Sequence, residues 1–497
     1  RDLCLSRGLG DVYKRQEYYQ EEDLEDLSLK TEGEFSGVGL EIYMYEDQLT
    51  VVSPIEGSPA SRSGIYTGDA IMNIDGEPTS GLELKDATSK IRGKAGTEVI
   101  LTIKKPNTGE VQDYSIIRDV ITIKDIPFYG MVNENVGYLR ITNFSVNTAN
   151  ETKDALISLM QNGASNVIID LRDNPGGLLS SSLDLLDLIL PKNLELVSTK
   201  GRAGKSIKNY KTLNNALIPD TINMAVLING ASASASEIVA GVLQDYDRAI
   251  VLGSQSFGKG LVQTVIGINQ ETALKITNSK YYIPSGRSLQ KREFIDDELI
   301  ANSSVVADTL FQTKAGRTVI GGGGIGPDVI VKDEGSYPLA ASILRSRGYF
   351  KFVQENNNQY SSIDEVLADE ELMVKFKAFI EKNDISGYVD GQEDLKLAKE
   401  KLSKKEEKNL FINNAFSVIE KQIEKTQSTM FEDEKEIIQR MVHGEFAFYY
   451  NGYEGRYNIY LKDDTVVQKA IEIFADESQY LSILSNTEST EVASLNN

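Results

Sequence analysis

Three serines in one short segment are the first residues that could do chemistry. They lie in the run 231–236, Ala-Ser-Ala-Ser-Ala-Ser, between a predicted buried strand, Asn223 to Ile228, and apolar residues at helical spacing. Such a turn presents one side chain at a helix N-terminus, where free N–H groups and the helix dipole stabilise an oxyanion. The pattern allows a serine nucleophile, although the local sequence alone favours serines that only cap the helix.

A serine nucleophile needs a base, and the single histidine, His443, lies in a segment predicted as helix over 433–443, where we expect a structural or solvated role. Lys259 is then the natural base. Apolar burial must lower the pKa of its amine from about 10.4 to roughly 7–8, which corresponds to about 4 kcal/mol. If Lys259 begins a strand, Leu261 and Gln263 share its face, and the Gln263 amide oxygen can orient the amine.

The same lysine is the next-to-last residue of a segment, Gly253 to Gly260, that nearly matches the phosphate-binding pattern Gly-x-x-x-x-Gly-Lys-[Ser/Thr]. A nucleotide site is therefore an alternative. Position 260 is glycine, however, so the hydroxyl that would bind magnesium is missing. Residues 261–268 also have the composition of a strand, where a nucleotide-binding loop needs a helix.

Two glycines follow another predicted buried strand, Asn166 to Leu171. The run 172–177, Arg-Asp-Asn-Pro-Gly-Gly, leads from this strand into a helix predicted over 178–190. Because glycine lets backbone N–H groups approach a ligand closely, Gly176 and Gly177 are candidates for an anion-binding turn. An ordinary strand-to-helix turn is the alternative.

Three segments of different character must position these residues, in keeping with 497 residues and a prior of about three domains. Residues 35–118 contain short strands and two predicted helices, 58–63 and 84–91, which indicate a small β-rich domain. Residues 119–337 alternate strands and helices, which indicates an α/β domain. Residues 338–497 are rich in Lys and Glu and read as a helical extension, to which we assign no chemistry.

The first residues are not expected to take part in the fold. Residues 1–16 carry basic residues unlike the acidic stretch that follows, and they are predicted to be a non-native leader. Residues 17–34 are predicted to be the remnant of an N-terminal region. On this interpretation the authentic start, with any signal peptide or anchor, is missing.

Composition excludes several classes of function. Hydrophobic residues make up 40% of the chain and charged residues 25%, as in soluble globular proteins. The net charge of −22 repels phosphate backbones, so nucleic acid is not an expected partner. A single cysteine, Cys4, cannot form an internal disulfide or a cysteine-rich zinc site, and we expect no metal and no cofactor.

Together these segments resemble the carboxyl-terminal processing peptidases, the tail-specific serine proteases, over roughly residues 31–332. The resemblance implies an α/β core of the ClpP/crotonase-like fold, a PDZ domain over residues 35–118 and a C-terminal helical extension. It rests on six ordered blocks: Gly33 to Gly39, Asp170 to Gly177, Ala231 to Glu237, Phe257 to Gln263, Tyr281 to Gln290 and Gly323 to Val329.

The resemblance implies that Ser234, the middle serine of its run, is the nucleophile. The family lysine 25 positions later falls on Lys259, and the glutamine four beyond it on Gln263. Two further acidic positions match. Glu237 lies near the site, and Asp245, at the end of the helix that Ser234 starts, is expected to be structural.

The oxyanion hole of the family would be formed here by the backbone N–H of Ala235 with that of Gly176 or Gly177. The resemblance implies a serine endopeptidase with a Ser-Lys(-Gln) acyl-enzyme mechanism. It would cut near the C-termini of unfolded or tagged proteins.

In the PDZ domain, Val38, Gly39 and Leu40 would offer N–H groups to the carboxylate of a peptide that adds as a strand. A tail held there raises the effective concentration of peptide at Ser234. Family members are usually exported, so the resemblance implies a periplasmic or otherwise exported protein, anchored to a membrane through the missing N-terminus if at all. The oligomeric state is left open.

Two departures from the family are visible: Ser254 stands where Glu is frequent, and the helical region before the PDZ domain is truncated. A catalytically inactive PDZ scaffold and a crotonase-like thioester enzyme remain alternatives. A scaffold would tolerate loss of Ser234 and Lys259, yet both are present in register with Gln263. No feature of the sequence indicates an acyl-CoA site.

Overall fold

A computed structural model describes residues 17–19, 31–45, 48–106, 108–201, 206–269, 272–290, 309–331, 337–403 and 410–485. The predicted leader, residues 1–16, lies outside the described residues, as does most of the predicted remnant 17–34. No helix in the described part of the chain combines the length and the apolar character that crossing a bilayer requires.

The β-rich segment folds around one sheet with strand order β3-β4-β5-β7-β8, in which β6 pairs with β5. A separate two-stranded sheet, β2 and β9, pairs the first strand of the segment with its last. Both predicted helices are present, α1 and α2, and α2 lies beside β3. The elements are β2 (Glu34–Gly37), β3 (Leu40–Tyr45), β4 (Gln48–Pro54), α1 (Pro59–Arg62), β5 (Ala70–Ile74), β6 (Glu77–Pro78), α2 (Leu84–Ile91), β7 (Glu98–Lys104), β8 (Val111–Ile117) and β9 (Asp119–Thr122).

The central segment is built on a six-stranded sheet of order β10-β11-β12-β15-β16-β21, parallel except for β10. Its inner strands are buried along their length, as expected for a parallel sheet covered on both faces. The elements are β10 (Phe128–Met131), β11 (Val136–Arg140), α3 (Thr148–Gln161), β12 (Asn166–Asp170), α4 (Leu179–Ile189), β15 (Asn223–Ile228), α5 (Ala235–Asp245), β16 (Ile250–Gly253) and β21 (Val329–Ile330).

A second sheet of antiparallel strands lies beside the first, with order β1-β18-β13-β14 and with β17 also paired to β18. Its first strand comes from the segment predicted to be a remnant. The strands are β1 (Glu17–Tyr19), β13 (Glu195–Gly201), β14 (Ser206–Lys211), β17 (Leu261–Gly267) and β18 (Ala273–Tyr282), and a separate pair is formed by β19 (Thr309–Gln312) and β20 (Thr318–Gly321).

The last segment is helical, as predicted, and α12 contains a kink at Gly452. Most of its helices share a core of their own, in which Phe352, Phe376 and Phe446 are buried. The helices are α6 (Pro338–Arg345), α7 (Gly348–Asn356), α8 (Ile363–Leu367), α9 (Leu372–Lys382), α10 (Gln392–Ser403), α11 (Leu410–Asp433), α12 (Lys435–Tyr460), α13 (Thr465–Ala475) and α14 (Glu477–Ser485).

The last two helices cover one face of the parallel sheet. Side chains alternate along each strand, so one face packs against α3, α4 and α5, and the other against α13 and α14. On the second face Leu227 and Leu252 meet Val467 and Ile473, all of them fully buried. The helical segment is therefore a structural layer of the α/β core, which its sequence did not indicate.

Candidate active site

Ser234 lies at the junction of β15 and α5 in an unusual backbone conformation. Its φ of 57° and ψ of −111° are rare for a residue with a side chain, and its side chain is largely buried. Residues held in such regions cost about 1–3 kcal/mol and cluster at functional sites. Ser234 is the N-cap of α5, and Glu237 accepts its N–H as in a capping box. A capping residue normally has an extended backbone, however, so capping alone does not account for the positive φ.

The two neighbouring serines have structural roles. The Ser232 hydroxyl donates to the Leu171 carbonyl at 2.8 Å, and the Ser236 hydroxyl donates to the Asn174 carbonyl at 2.9 Å. Both bonds join the serine turn, residues 229–234, and the start of α5 to the glycine loop, residues 171–177. Of the three serines, Ser234 alone has the left-handed backbone.

Glu237 connects the serine turn to the segment that carries Lys259. Its side chain is fully buried, and one carboxylate oxygen accepts the backbone N–H of Ser234 and that of Lys259, each at 2.8 Å. The other oxygen accepts the Ser256 hydroxyl at 2.6 Å and the Gly258 N–H at 2.7 Å. Burial raises the pKa of the Glu237 carboxyl, and these hydrogen bonds oppose the rise.

Lys259 does not begin the following strand, which corrects the sequence-based geometry. The strand β17 starts at Leu261, and its pairing with β18 is irregular between Val262 and Gln263. The side-chain alternation of a regular strand therefore cannot place Lys259 and Gln263 on one face. Both side chains are half-buried, and Lys259 is brought towards Ser234 through Glu237.

The nucleotide-site alternative is not supported by the same contacts. Two of the N–H groups that would surround a phosphate, those of Gly258 and Lys259, bind the Glu237 carboxylate. The next, that of Gly260, donates to the Gln290 side chain at 3.0 Å. A strand rather than a helix follows, as the sequence predicted.

Two free N–H groups lie in the segments around Ser234, one on the glycine loop and one at the start of α5. Within the described part of the chain, the N–H groups of Gly177 and Ala235 donate no hydrogen bond, whereas that of Gly176 donates to the Asn174 side chain at 2.8 Å. Gly176 nevertheless lies against the turn, since a Cβ on it would stand 3.0 Å from the Ala235 nitrogen. Gly177, rather than Gly176, is thus the amide available with Ala235 for an oxyanion.

Tyr281 is a site residue that sequence reasoning did not single out. The hydroxyl of Ser234 hydrogen-bonds to the Tyr281 phenol, and the Tyr281 N–H donates to the Gly260 carbonyl at 2.8 Å. Burial raises the pKa of this phenol to about 12, although the bond from Ser234 opposes the rise. The phenol therefore stays neutral and cannot act as a base. Its one sequence signal was its place at the start of the block 281–290.

Asp245 lies at the far end of α5 and binds a different segment. It forms an ion pair with Arg287 at 2.8 Å, in which both side chains are about 1% exposed, and accepts the Ser285 N–H at 2.9 Å. Burial raises the pKa of its carboxyl, and Arg287 opposes the rise. These contacts hold the segment after β18 against the core.

Val38 and Gly39 precede the edge strand β3 in the β-rich domain. Their N–H groups donate no hydrogen bond to any described residue, and Leu40 begins the strand. The edge of β3 that does not pair with β4 lies beside α2. An unpaired strand edge next to a helix is the geometry to which a peptide adds as a strand.

No group of three or more His, Cys, Asp or Glu residues in the described ranges is placed to hold a metal ion. The single histidine, His443, is half-buried on α12, and burial lowers the pKa of its imidazole.

Comparison with known proteins assigns each segment to a family. The model of peptidase family S41 matches residues 135–300, a PDZ domain model matches residues 26–104, and a model described as the C-terminal helical domain of a probable PDZ-protease matches residues 339–474. A carboxyl-terminal-processing protease of Picosynechococcus is 36% identical over 303 residues, which are 60% of this chain and 71% of that protein. The chain belongs to the carboxyl-terminal-processing protease family, whose members are serine-type peptidases. This membership confirms the resemblance inferred from the sequence.

A second member, the carboxy-terminal-processing protease of Bartonella bacilliformis, is 41% identical over 277 residues, and the match spans 55% of this chain and 63% of that protein. Among solved structures, a photosystem II D1 C-terminal processing protease is 24% identical, with a TM-score of 0.36 over 64% of this chain and 78% of that chain. The predicted fold class, an α/β protease core with a PDZ domain and a helical C-terminal region, is confirmed.

Proposed function

We propose that this chain is a serine endopeptidase that cleaves polypeptides near their C-termini. The observation that carries the proposal is the position of Ser234. Ser234 combines a left-handed backbone with a largely buried side chain, and two unoccupied N–H groups lie in the segments around it, that of Gly177 on the glycine loop and that of Ala235 at the start of α5. Membership of the carboxyl-terminal-processing proteases supports the same reaction.

In the proposed first half-reaction, the Ser234 oxygen attacks the scissile carbonyl while its proton passes to the Lys259 amine. The N–H groups of Ala235 and Gly177 stabilise the negative oxygen of the tetrahedral intermediate. Collapse of the intermediate breaks the C–N bond, and the lysine ammonium donates its proton to the departing amine. The products of this half are an acyl ester on Ser234 and a new N-terminus.

Water completes the proposed cycle. The neutral amine of Lys259 accepts a proton from a water molecule, whose oxygen attacks the ester carbonyl. The second tetrahedral intermediate then releases the Ser234 oxygen, which recovers its proton from the lysine. Gln263, which matches the family's glutamine four positions beyond the lysine, is assigned the role of orienting the amine. The Glu237 carboxylate accepts the backbone N–H groups of both Ser234 and Lys259, so we assign it the role of positioning the pair.

The proposed substrate is an unfolded or tagged polypeptide whose C-terminus enters the PDZ domain. The unoccupied N–H groups of Val38 and Gly39 would receive its carboxylate, and the free edge of β3 would receive its backbone. Binding there raises the local concentration of the rest of the chain at Ser234.

The test is cleavage of denatured casein by the full chain and by Ser234→Ala and Lys259→Ala, with Lys192→Ala, an exposed lysine, as the control. We expect both site variants to lose cleavage by at least about 10³-fold while peptide binding by the PDZ domain is retained. Normal turnover by either variant would contradict the proposed mechanism. An inactive wild-type chain that still binds C-terminal peptides would instead support the scaffold alternative.

A further inference from the structure

A buried cluster of charges lies at the carboxyl end of β12, immediately before the glycine loop. The fully buried carboxylate of Asp170 accepts the Tyr138 hydroxyl at 2.8 Å and forms ion pairs with Arg140 at 2.8 Å and Arg172 at 2.6 Å. Burial alone would raise the pKa of the Asp170 carboxyl, but the two arginines outweigh it and hold that pKa well below its usual range. The Asp170 carboxylate therefore stays charged, and its contacts with Tyr138, Arg140 and Arg172 hold it in place.

The outer side of this cluster is completed by the C-terminal helical segment. The two terminal nitrogens of Arg172 donate to the two oxygens of Asp464, at 3.1 and 2.7 Å. The pair is mostly shielded from water, with side-chain exposures of 16% and 20%. Two parallel N–H to oxygen bonds of this kind fix orientation as well as distance.

Asp464 is itself held rigidly, because it is the N-cap of α13. One of its oxygens accepts the N–H groups of Val466 and Val467, each at 3.0 Å. The helix that it caps is anchored on the sheet by buried Val467 and Ile473. Arg172 thus contacts a carboxylate whose position is set by the packing of α13.

Two further residues of the glycine loop, Asp173 and Asn174, are held by hydrogen bonds to the α/β core and within the loop. The Asn229 amide accepts the Asp173 N–H at 3.0 Å and donates to the Asp173 carboxylate at 2.8 Å. The Asn174 side chain donates to the Ile141 carbonyl at 3.0 Å and accepts the Gly176 N–H at 2.8 Å.

Besides the bonds from Ser232 and Ser236, three of the loop's own side chains are therefore anchored, those of Arg172, Asp173 and Asn174. The anchors at Asp173 and Asn174 come from the α/β core. The anchor at Arg172 has Asp464 as its outermost member, which belongs to the C-terminal helical segment.

We propose that Asp464 is a positioning residue for catalysis, through which the C-terminal helical segment fixes the glycine loop and thereby the Gly177 N–H. The inference rests on the proposed function, since the loop matters for rate only if it receives an oxyanion. An amide displaced by a fraction of an ångström still allows substrate to bind, but it stabilises the transition state less. Loss of the contact should therefore lower kcat and leave KM nearly unchanged.

Two variants separate this role from the capping of α13. Asp464→Ser keeps a side-chain cap but is too short to reach Arg172, and Asp464→Asn keeps the cap and one neutral acceptor for the arginine. The matched control is Glu434→Gln. The Glu434 carboxylate likewise accepts two N–H groups at the start of a helix, those of Leu339 and Ala340, at 3.1 and 2.8 Å.

The experiment measures kcat and KM on a casein-derived peptide, the rate of labelling by a peptidyl phosphonate, and hydrogen exchange across residues 172–177, all with the full chain. We expect Asp464→Ser to lower kcat and the labelling rate about tenfold, to leave KM within about twofold and to speed exchange in the loop. Asp464→Asn should lie between Asp464→Ser and the wild type, and Glu434→Gln should match the wild type in all three.

The inference is overturned if folded Asp464→Ser has wild-type kcat and loop exchange, or if Glu434→Gln lowers kcat equally, which would indicate a general effect of the helical segment. If Asp464→Ser does not fold, Asp464→Asn decides by the same criteria. If the wild type itself neither cleaves peptide nor reacts with the phosphonate, the proposed function fails. Loop exchange then still tests whether Asp464 positions the loop.

Discussion

The backbone N–H groups of Ser234 and Lys259 donate to the same carboxylate oxygen of Glu237, each at 2.8 Å. Two segments that are 25 residues apart in the sequence therefore share one buried acceptor. A carboxylate is suited to this position because each of its oxygens accepts two hydrogen bonds here, and an amide of the same shape has only one accepting oxygen.

Replacement of Glu237 by Gln should thus impair both stability and rate. At least one buried donor loses its acceptor, which costs about 1–3 kcal/mol of unfolding free energy, and the displaced turn should lower kcat about 100-fold. Urea unfolding and casein cleavage measure the two effects. Glu195→Gln, at an exposed surface ion pair, is the control and should change neither. Wild-type kcat in Glu237→Gln would show that the shared acceptor is dispensable.

Replacement of Gly177 by Ala should abolish most of the activity. Gly177 has a φ of +151°, and an added Cβ would stand 2.2 Å from the Phe144 carbonyl oxygen, so the loop must move. We expect kcat to fall by about 10²-fold or more, as when an oxyanion donor is removed. Gly163→Ala is the matched control. It has a φ of +94°, but the nearest atom is 3.9 Å away, so it tests backbone strain without displacement of the loop. Equal losses in both variants would contradict the role of Gly177.

Replacement of Gly39 by Ala should weaken peptide binding without affecting the chemistry at Ser234. Gly39 has a φ of +78°, and an added Cβ would meet the Ser58 Cβ at 2.3 Å, which displaces the loop that carries the free N–H groups. Fluorescence anisotropy with a labelled peptide should give a Kd at least about tenfold higher, and a C-terminally amidated peptide should bind the wild type as poorly. Gly64→Ala, with a φ of +81° and open space around it, should bind normally. Equal affinity for the acid and the amide would rule out carboxylate recognition.

The buried Tyr281 phenol should make the free energy of unfolding fall at alkaline pH. Its folded pKa, about 12, lies above the usual value of 10, so the folded state retains a proton that the unfolded chain loses. Stability then falls as the pH rises from 10 to 12, by about 1.4 kcal/mol per pH unit within that range. Tyr281→Phe removes this contribution, and urea unfolding at pH 10 and pH 11 should show a smaller loss than in the wild type. An unchanged loss would contradict the assignment, and Tyr129→Phe, on an exposed tyrosine, is the control.

The local elements were predictable because they depend on patterns within a few residues. The strand Asn223–Ile228 and the helix Leu84–Ile91 have the predicted bounds, and the strand-turn-helix around Ser234 is present. The start of β17 was not predictable. It depends on hydrogen bonds that the N–H groups of Lys259 and Gly260 donate to Glu237 and Gln290, which lie in other parts of the chain.

The sequence indicated which residues form the site, but it did not indicate which of them form hydrogen bonds with one another. The Asn174 side chain binds the N–H of Gly176 and so leaves that of Gly177 free. The hydrogen bond between Ser234 and Tyr281 depends on how β18 packs against the serine turn. The C-terminal layer was missed for a related reason. Its apolar helix faces were visible in the sequence, but periodicity does not reveal which surface an apolar face will cover.

The coverage of the parallel sheet by α13 and α14 has a practical consequence for any shortened version of this protein. A chain truncated after Tyr460 would expose a broad hydrophobic surface that includes Ile168, Leu227 and Leu252. Exposed hydrophobic surfaces of that size promote aggregation during expression. The protease domain should therefore be produced together with its last two helices, and a preparation trimmed to the S41 segment alone is expected to precipitate.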